Sequence, residues 1–342
     1  MTEDSPLTVA GAAAALSKKA LVPRSLLIPE GNRHEEDRQG VPRRAMFKGG
    51  LCRLRTELRH AVTKKSQAKF GGTEAAKLKE NKMYPPERIV CLTEETTETL
   101  YLLGEQHRIV GISGYTVRPP QARKEKPRVS AFISADIPKI LALEPDLVLT
   151  FSDLQAEIVA ALIRAGISVH AFNQRSVAGI LDMIRTLGAL VGAADRADAL
   201  ADRLAANIQK TQQRNANRSE RPKVYFEEWD EPMISGIAWV SELVAIAGGV
   251  DIFPELAGCK SAKDRITTPD DVIGRAPDII IGSWCGKKFS KEKVAARPGF
   301  DAIPAVRNCK LYEIKSALIL QPGPAALTDG LAALEEIIRD VP

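Results

Sequence analysis

A long uninterrupted amphipathic segment constrains the fold of this chain more than any other feature. Residues 194–217 read ADRADALADRLAANIQKTQQRNAN, contain neither glycine nor proline, and precede the polar stretch RSERP. Apolar residues recur with the spacing of one helix face: Ala197, Leu200, Ala201, Leu204, Ala205 and Ile208. At about 1.5 Å per residue, the predicted helix is roughly 35 Å long, about the width of a small domain.

Alternating strand-like and helix-like runs lie on both sides of this helix. The apolar runs that indicate strands are RIVCL (88–92), RIVGIS (108–113), DLVLTF (146–151), SVHAF (168–172), KVYFEEW (223–229), DIIIGSW (278–284) and KLYEI (310–314). The runs that indicate helices are TEETTETLYLLG (93–104), 136–143, 153–166, 240–248 and 324–339. Strands separated by helices indicate parallel sheets with right-handed crossovers. The predicted fold class is therefore α/β, with two lobes containing parallel sheets, one long rigid helix joining them, and a ligand cleft between them.

Composition divides the chain into four predicted parts. Residues 1–83 form a basic extension with 17 Lys/Arg against 9 Asp/Glu. The N-terminal lobe is predicted at 84–193, the linker helix at 194–218 and the C-terminal lobe at 219–342. From residue 84 onward the chain carries 31 Lys/Arg against 34 Asp/Glu, so no basic surface favours nucleic acid.

The extension contains one stretch, LTVAGAAAALS (7–17), with the apolar length of a secretory signal. Acidic residues precede it, and Lys18 and Lys19 follow it where a cleavage site is expected. We therefore expect a poorly ordered extension rather than a secretory signal. The alternative is that translation begins at Met83, directly before the globular pattern.

A weak internal repeat links the two predicted lobes. Residues 136–149 align without gaps on residues 268–281, and each copy reads as a short helix, then Pro-Asp, then a buried strand. Two similar lobes joined by one helix enclose a cleft, and clefts between domains commonly bind ligands.

Four aromatic residues are candidates for that cleft. Tyr115 and Phe132 fall in loops at the carboxyl ends of predicted strands, where α/β sheets bind ligands. Trp229 and Trp284 end two predicted strands of the C-terminal lobe, and we expect them at the mouth of the cleft.

Other motifs are weaker. GSWCGKK (282–288) is one residue short of a phosphate-binding loop, and Cys285 with His170 lacks a third residue to orient a nucleophile and base. The acidic run 227–231 is interpreted as a charged loop rather than a cation site. Four histidines and five cysteines without a CxxC pair argue against a metal centre and a disulfide framework.

Several stretches resemble substrate-binding proteins of ABC importers for cobalamin and ferric siderophores. They are RIVCLTEETTETLYLLGEQHRIVGISGYTVRPPQA, KILALEPDLVLTF, VAIAGGVDIF and APDIIIGSW. The resemblance covers about residues 86–340 and implies two α/β lobes on a rigid backbone helix. Gly114-Tyr115, Pro119-Pro120 and Val129-Ser130-Ala131-Phe132 are most similar to the corrin-contacting segment of the cobalamin-binding type.

The resemblance also implies ligand contacts. Tyr115 matches the family's tyrosine, Phe132 stands where a tryptophan is usual, and Ser316 lies near a polar contact that is usually aspartate. The implied ligand is cobalamin or another corrinoid, and no resident cofactor is expected.

Docking to a membrane permease is implied through one acidic residue on each lobe. Asp270 matches the family's acidic residue on the C-terminal lobe. On the N-terminal lobe the matching position is Pro138, which carries no charge, and Asp136 is a nearby substitute. The resemblance implies a periplasmic monomer with an ABC permease as partner, and the lack of a visible signal leaves a cytoplasmic location open.

We therefore predict a non-enzymatic binding protein that captures a corrinoid for an ABC importer. The alternatives are a ferric-siderophore binding protein, a cytoplasmic corrinoid-handling protein, and an enzyme that processes a tetrapyrrole or metal on a similar scaffold.

Overall fold

Two five-stranded sheets organise residues 84–341, the part of the chain that the computed structural model describes. The extension and the alternative start at Met83 lie outside these residues. The first sheet is entirely parallel and has the order β3-β2-β1-β4-β5. Its strands are β1 (Ile89–Cys91), β2 (Ile109–Ser113), β3 (Arg128–Ser130), β4 (Leu147–Phe151) and β5 (Val169–Phe172).

The second sheet has the order β10-β9-β6-β7, and β8 also pairs with β6. Its strands are β6 (Lys223–Asp230), β7 (Met233–Ser235), β8 (Val250–Asp251), β9 (Ile279–Gly282) and β10 (Leu311–Glu313). Only β7 runs antiparallel within this sheet of the described chain, because two residues, Glu231 and Pro232, connect it to β6. The predicted parallel sheets are otherwise confirmed.

The α-helices alternate with these strands. They are α1 (Glu94–Leu102), α2 (Ala122–Glu125), α3 (Ile137–Leu141), α4 (Ala156–Arg164), α5 (Val177–Leu190), α6 (Ala194–Asn215), α7 (Ala238–Ile246), α8 (Pro254–Ala257), α9 (Pro269–Arg275), α10 (Lys291–Ala295), α11 (Pro304–Arg307), α12 (Ser316–Ile319) and α13 (Leu331–Arg339). A π-helical turn, Ala326–Gly330, leads into α13. Within residues 84–341, no helix combines the length and apolar character that crossing a bilayer requires.

Helix α6 is the long helix predicted from the sequence, and it ends two residues earlier than expected. Its buried side chains are Ala197, Leu200, Ala201, Leu204, Ile208 and Thr211. Helix α5 was not predicted from the sequence, and it packs along these buried side chains of α6. Gly188 of α5 lies so close to Ala197 that a Cβ added at Gly188 would be 2.1 Å from the Ala197 Cβ.

One apolar core is shared by the two sheets. Ile89 and Cys91 on one face of β1 belong to the same buried cluster as Val224 and Phe226 of β6, and residues of α5, α6, α7 and α13 complete it. The opposite faces of both sheets pack against separate outer clusters, as Val90 and Tyr225 do. The lobes are therefore joined by a continuous core, and α6 is one part of it.

The internal repeat has the same structural role in both lobes. The carboxylate of Asp146 accepts the backbone N–H groups of Glu87 and Arg88, at 2.7 and 3.0 Å, just before β1. In the second copy, the carboxylate of Asp278 accepts the N–H of Lys223, the first residue of β6, at 2.8 Å. Each Pro-Asp pair thus fixes the start of a central strand.

The close approach of α5 to α6 can be tested at Gly188. We expect Gly188→Ala to lower the free energy of unfolding by about 1–3 kcal/mol, because the added methyl group overlaps Ala197. Urea-induced unfolding measures the change.

Gly274→Ala is the matched control. Gly274 lies in α9 with no atom within 4 Å of an added Cβ, so alanine should stabilise the protein by up to about 1 kcal/mol through its higher helix propensity. Equal effects of the two substitutions would contradict the tight α5–α6 contact.

Candidate functional site

The carboxyl ends of parallel strands are where α/β folds bind ligands, and we call the region between these ends of the two sheets the interlobe cleft. Glu94 follows β1 in the N-terminal lobe, whereas Glu228 lies near the end of β6 and Cys285 follows β9 in the C-terminal lobe. Surrounding protein raises the pKa of the Cys285 thiol, and the negative charges of Glu228 and Glu94 raise it further. Groups from both lobes are therefore close enough to interact across the cleft.

Tyr115 and Phe132, predicted from the sequence as ligand contacts, follow the neighbouring strands β2 and β3. Tyr115 is 51% exposed, and its backbone N–H donates to Ser113 Oγ at 3.2 Å. Phe132 is half-buried, and its carbonyl accepts a hydrogen bond of 2.8 Å from the amide of the buried Gln155. Both aromatic residues thus stand on loops that hydrogen bonds fix to the sheet.

Trp229 lies near the end of β6 and is half-buried. Its Nε1 donates to the carbonyl of Glu231 at 2.9 Å, and Lys287 Nζ lies 5.1 Å from its ring centroid. The ring therefore keeps an accessible surface, and its role as a ligand contact stays a prediction.

Trp284 does not lie at the mouth of the cleft, and that prediction is wrong. The side chain is only 3% exposed and packs in the outer core of the C-terminal lobe, with its ring centroid 5.0 Å from that of Phe289. Its Nε1 donates to Glu227 Oε1 at 3.0 Å. The physical reason is that the indole finds both an apolar partner, Phe289, and a buried acceptor, Glu227, inside the C-terminal lobe.

Ser316, the remaining predicted ligand contact, is the first residue of α12 and is half-buried. Its hydroxyl group lowers the pKa of the Cys285 thiol, against the larger effect of burial, which raises it. The structure thus brings Ser316 and Cys285 together at the carboxyl ends of β10 and β9.

The two predicted docking residues are both exposed at helix starts. Asp136 caps α3 and accepts the backbone N–H of Lys139 at 3.0 Å, and Asp270 lies in the first turn of α9. These two helices are the equivalent helices of the two copies of the internal repeat. Docking through these carboxylates stays a prediction.

Every acidic residue in the 227–230 part of the acidic run has a cationic partner. The pairs are Glu227 with Arg297 at 2.5 and 3.0 Å, Glu228 with Arg265 at 2.6 and 3.2 Å, and Asp230 with Lys287 at 2.5 Å. Because their charge is already neutralised, these carboxylates are poor candidates for a cation site. Residues 84–341 also contain no group of three or more His, Cys, Asp or Glu placed to hold a metal ion.

The sequence analysis missed two acidic residues of the N-terminal lobe. Glu94 and Glu95 begin α1, and they are only 5% and 1% exposed. Glu95 Oε1 accepts from Thr93 Oγ1 at 2.6 Å, and Glu94 Oε1 accepts from Ser113 Oγ at 3.3 Å. The available signal was a pair of acids directly after a buried strand, at the sheet edge where ligands bind.

Burial changes the protonation of both carboxyl groups. Burial raises the pKa of Glu95 from 4.5 to about 8, and the negative charges of Glu94 and Glu98 add to the shift, while the hydrogen bond from Thr93 opposes it. Burial also raises the pKa of Glu94. A protonated carboxyl group can donate a hydrogen bond as well as accept one, whereas a carboxylate can only accept.

The segment 322–325 of the C-terminal lobe contacts the N-terminal lobe at α1 and at the loop after β5. Glu98 pairs with Arg118 at 2.9 Å and accepts the backbone N–H of Ala325 at 3.1 Å. Gln174 Nε2 donates to the carbonyl of Pro322 at 2.9 Å. Direct hydrogen bonds therefore connect the two lobes beside the acidic pair.

Comparison with known proteins gives matches over most of the described chain. The sequence profile of the family described as periplasmic binding protein matches residues 89–318. A vitamin B12-binding protein of Vibrio cholerae serotype O1 is 30% identical over 259 residues, covering 72% of this chain and 87% of that protein. An uncharacterised ABC transporter substrate-binding lipoprotein of Bacillus subtilis is 25% identical over 262 residues, covering 74% of this chain and 80% of that protein.

The solved structures give the same result for the fold. The apo form of the periplasmic heme-binding protein RhuT from Roseiflexus sp. RS-1 has a TM-score of 0.64 and 24% identity, covering 74% of this chain and 99% of that one. Together with the two sheets described above, this likeness confirms the predicted two-lobed α/β fold class.

The protonation of Glu95 can be tested through the pH dependence of stability. Because its folded-state pKa is raised, the stabilisation that it provides is complete below pH 4.5 and is lost as the pH rises through about 8. Wild-type protein should lose on the order of a few kcal/mol of unfolding free energy across this range from Glu95. Glu95→Gln should remove that part of the slope in urea-induced unfolding.

Glu157→Gln is the control, because Glu157 is an exposed acid in α4. It should keep the wild-type slope. A Glu95→Gln variant whose stability falls with pH as steeply as that of the wild type would contradict the raised pKa.

Proposed function

The chain belongs to the periplasmic binding protein family, and from this premise we propose that it binds a corrinoid between its lobes and delivers it to an ABC importer. The vitamin B12-binding relative of Vibrio cholerae supports the ligand class, and the substrate-binding lipoprotein of Bacillus subtilis supports the importer as partner. Both relatives are named as binding proteins, which supports a non-enzymatic role.

The observation that carries the ligand proposal is the position of Tyr115. A large aromatic side chain that is 51% exposed at the carboxyl end of a strand offers a flat apolar surface with little rotamer entropy to lose. Such a surface suits the plane of a macrocycle. We propose Phe132 and Trp229, both half-buried, and Ser316 as further contacts.

Delivery requires a docking surface, for which Asp136 and Asp270 are the proposed contacts. Both carboxylates are exposed on equivalent helices of the two lobes, so both are available to arginines of a permease. This proposal places the protein outside the cytoplasmic membrane, as for its periplasmic and lipoprotein relatives.

Titration with cyanocobalamin tests the ligand class. We expect quenching of tryptophan fluorescence with a dissociation constant in the micromolar range or below, because Trp229 is half-buried at a strand end. A ferric hydroxamate siderophore and hemin serve as competing probes. If the fluorescence does not respond to micromolar cyanocobalamin but does respond to the siderophore or to hemin, the corrinoid proposal is wrong and that second compound is the ligand.

Tyr115→Ala tests the contact itself. Loss of the ring should weaken cyanocobalamin binding by about 1–3 kcal/mol, in line with the loss of an aromatic contact at an interface. Tyr84→Ala is the control, because Tyr84 is 64% exposed and precedes β1, at the opposite end of the sheet. Equal affinities of the two variants would remove Tyr115 from the site.

A further inference from the structure

Buried polar atoms without a hydrogen-bond partner are concentrated at one edge of the two sheets. Eight such side-chain atoms occur within residues 84–341, and six of them belong to residues within three positions of the carboxyl end of a strand. The six are Glu94 Oε2, Thr116 Oγ1, Ser130 Oγ, Thr150 Oγ1, Gln174 Oε1 and Ser283 Oγ. Because folded proteins satisfy most buried polar groups, this concentration points to a ligand with polar groups of its own.

Glu94 is the charged member of this set. The residue is 95% buried, one carboxylate oxygen accepts the 3.3 Å hydrogen bond from Ser113, and the other oxygen has no side-chain or backbone partner among residues 84–341. Leaving a buried carboxylate oxygen without a partner costs free energy, and more than for a neutral group. A partner supplied by the ligand would recover that cost.

Within residues 84–341, no arginine or lysine pairs with Glu94. The arginines at this edge of the sheets pair with other acids: Arg118 with Glu98 and Asp329, Arg265 with Glu228, and Arg175 with Asp153. The titratable groups on which Glu94 acts are Glu95 and the Cys285 thiol, and neither is a cation. A bound ligand can therefore supply the donor that the free Glu94 oxygen lacks.

We propose that Glu94 is a specificity-determining residue that accepts hydrogen bonds from the amide N–H groups of an amide-bearing corrinoid. This inference rests on the proposed corrinoid-binding function. The peripheral side chains of cobalamin end in primary amides, which donate hydrogen bonds. A ligand with a carboxylate at the same position, such as a partly hydrolysed corrinoid, would place like charges together in a buried site.

The experiment compares wild-type protein with Glu94→Gln by calorimetric titration. The probes are cyanocobalamin and its monocarboxylic acid derivatives, in each of which one peripheral amide is replaced by a carboxylate. Wild type should bind at least one derivative about tenfold or more weakly than cyanocobalamin, because one charge-assisted hydrogen bond becomes a repulsion. In Glu94→Gln, cyanocobalamin should bind more weakly and the preference over that derivative should shrink. Glu157→Gln should match the wild type with every probe.

The stability of the unliganded variant separates a ligand contact from a structural one. Removal of an unpartnered buried carboxylate should leave the melting temperature of Glu94→Gln equal to or above that of the wild type. A lower melting temperature, or an unchanged preference among the probes, would overturn the role of Glu94 while leaving corrinoid binding intact. Failure of wild-type protein to bind cyanocobalamin would overturn the proposed function and this inference together.

Discussion

The contact between α5 and α6 is the constraint on which the rest of this structure depends. Gly188 and Ala197 allow the two helices to approach closely at this position, because neither residue has a large side chain. Apolar residues of both helices belong to the buried cluster that also contains residues of both sheets. The pair of helices is thus part of the one core that joins the two lobes.

Electrostatics differ between the two sides of the cleft. On the C-terminal side, Glu227 and Glu228 each form an ion pair with an arginine. On the N-terminal side, Glu94 and Glu95 are buried with hydroxyl partners alone, and burial raises the pKa of both. Selectivity for charge and hydrogen-bond donors is therefore concentrated on the first turn of α1.

The sequence predicted the elements whose patterns are local. The apolar stripe of α6 could be predicted because the other faces of this helix are charged. The Pro-Asp repeat could be recognised because Asp146 and Asp278 accept backbone N–H groups at equivalent strand starts, so both copies keep the same residues. Helix α5 was not predicted, because its sequence is mostly apolar and two glycines, Gly179 and Gly188, interrupt it. Asp182, Arg185 and Thr186 are the polar residues among its fourteen, so the polar face that reveals a helical period is narrow.

The site was less predictable because it depends on contacts distant in sequence. Trp284 looked accessible at the end of a strand, but its hydrogen bond to Glu227, 57 residues earlier, holds it in the core. Glu94 is one of several acids in a short stretch of sequence, and only the positions of the arginines show that it has no ionic partner within residues 84–341. Pairing of this kind cannot be read from local spacing.

The shared core also sets the order in which the molecule can be completed during synthesis. Ile319, Leu327, Leu331 and Ile338 belong to that core, although they follow the last strand of both sheets. Synthesis adds these residues after every strand of both sheets, so the part of the core that they cover is closed last. The two lobes therefore share their final packing step, because one C-terminal segment contributes to the core of both.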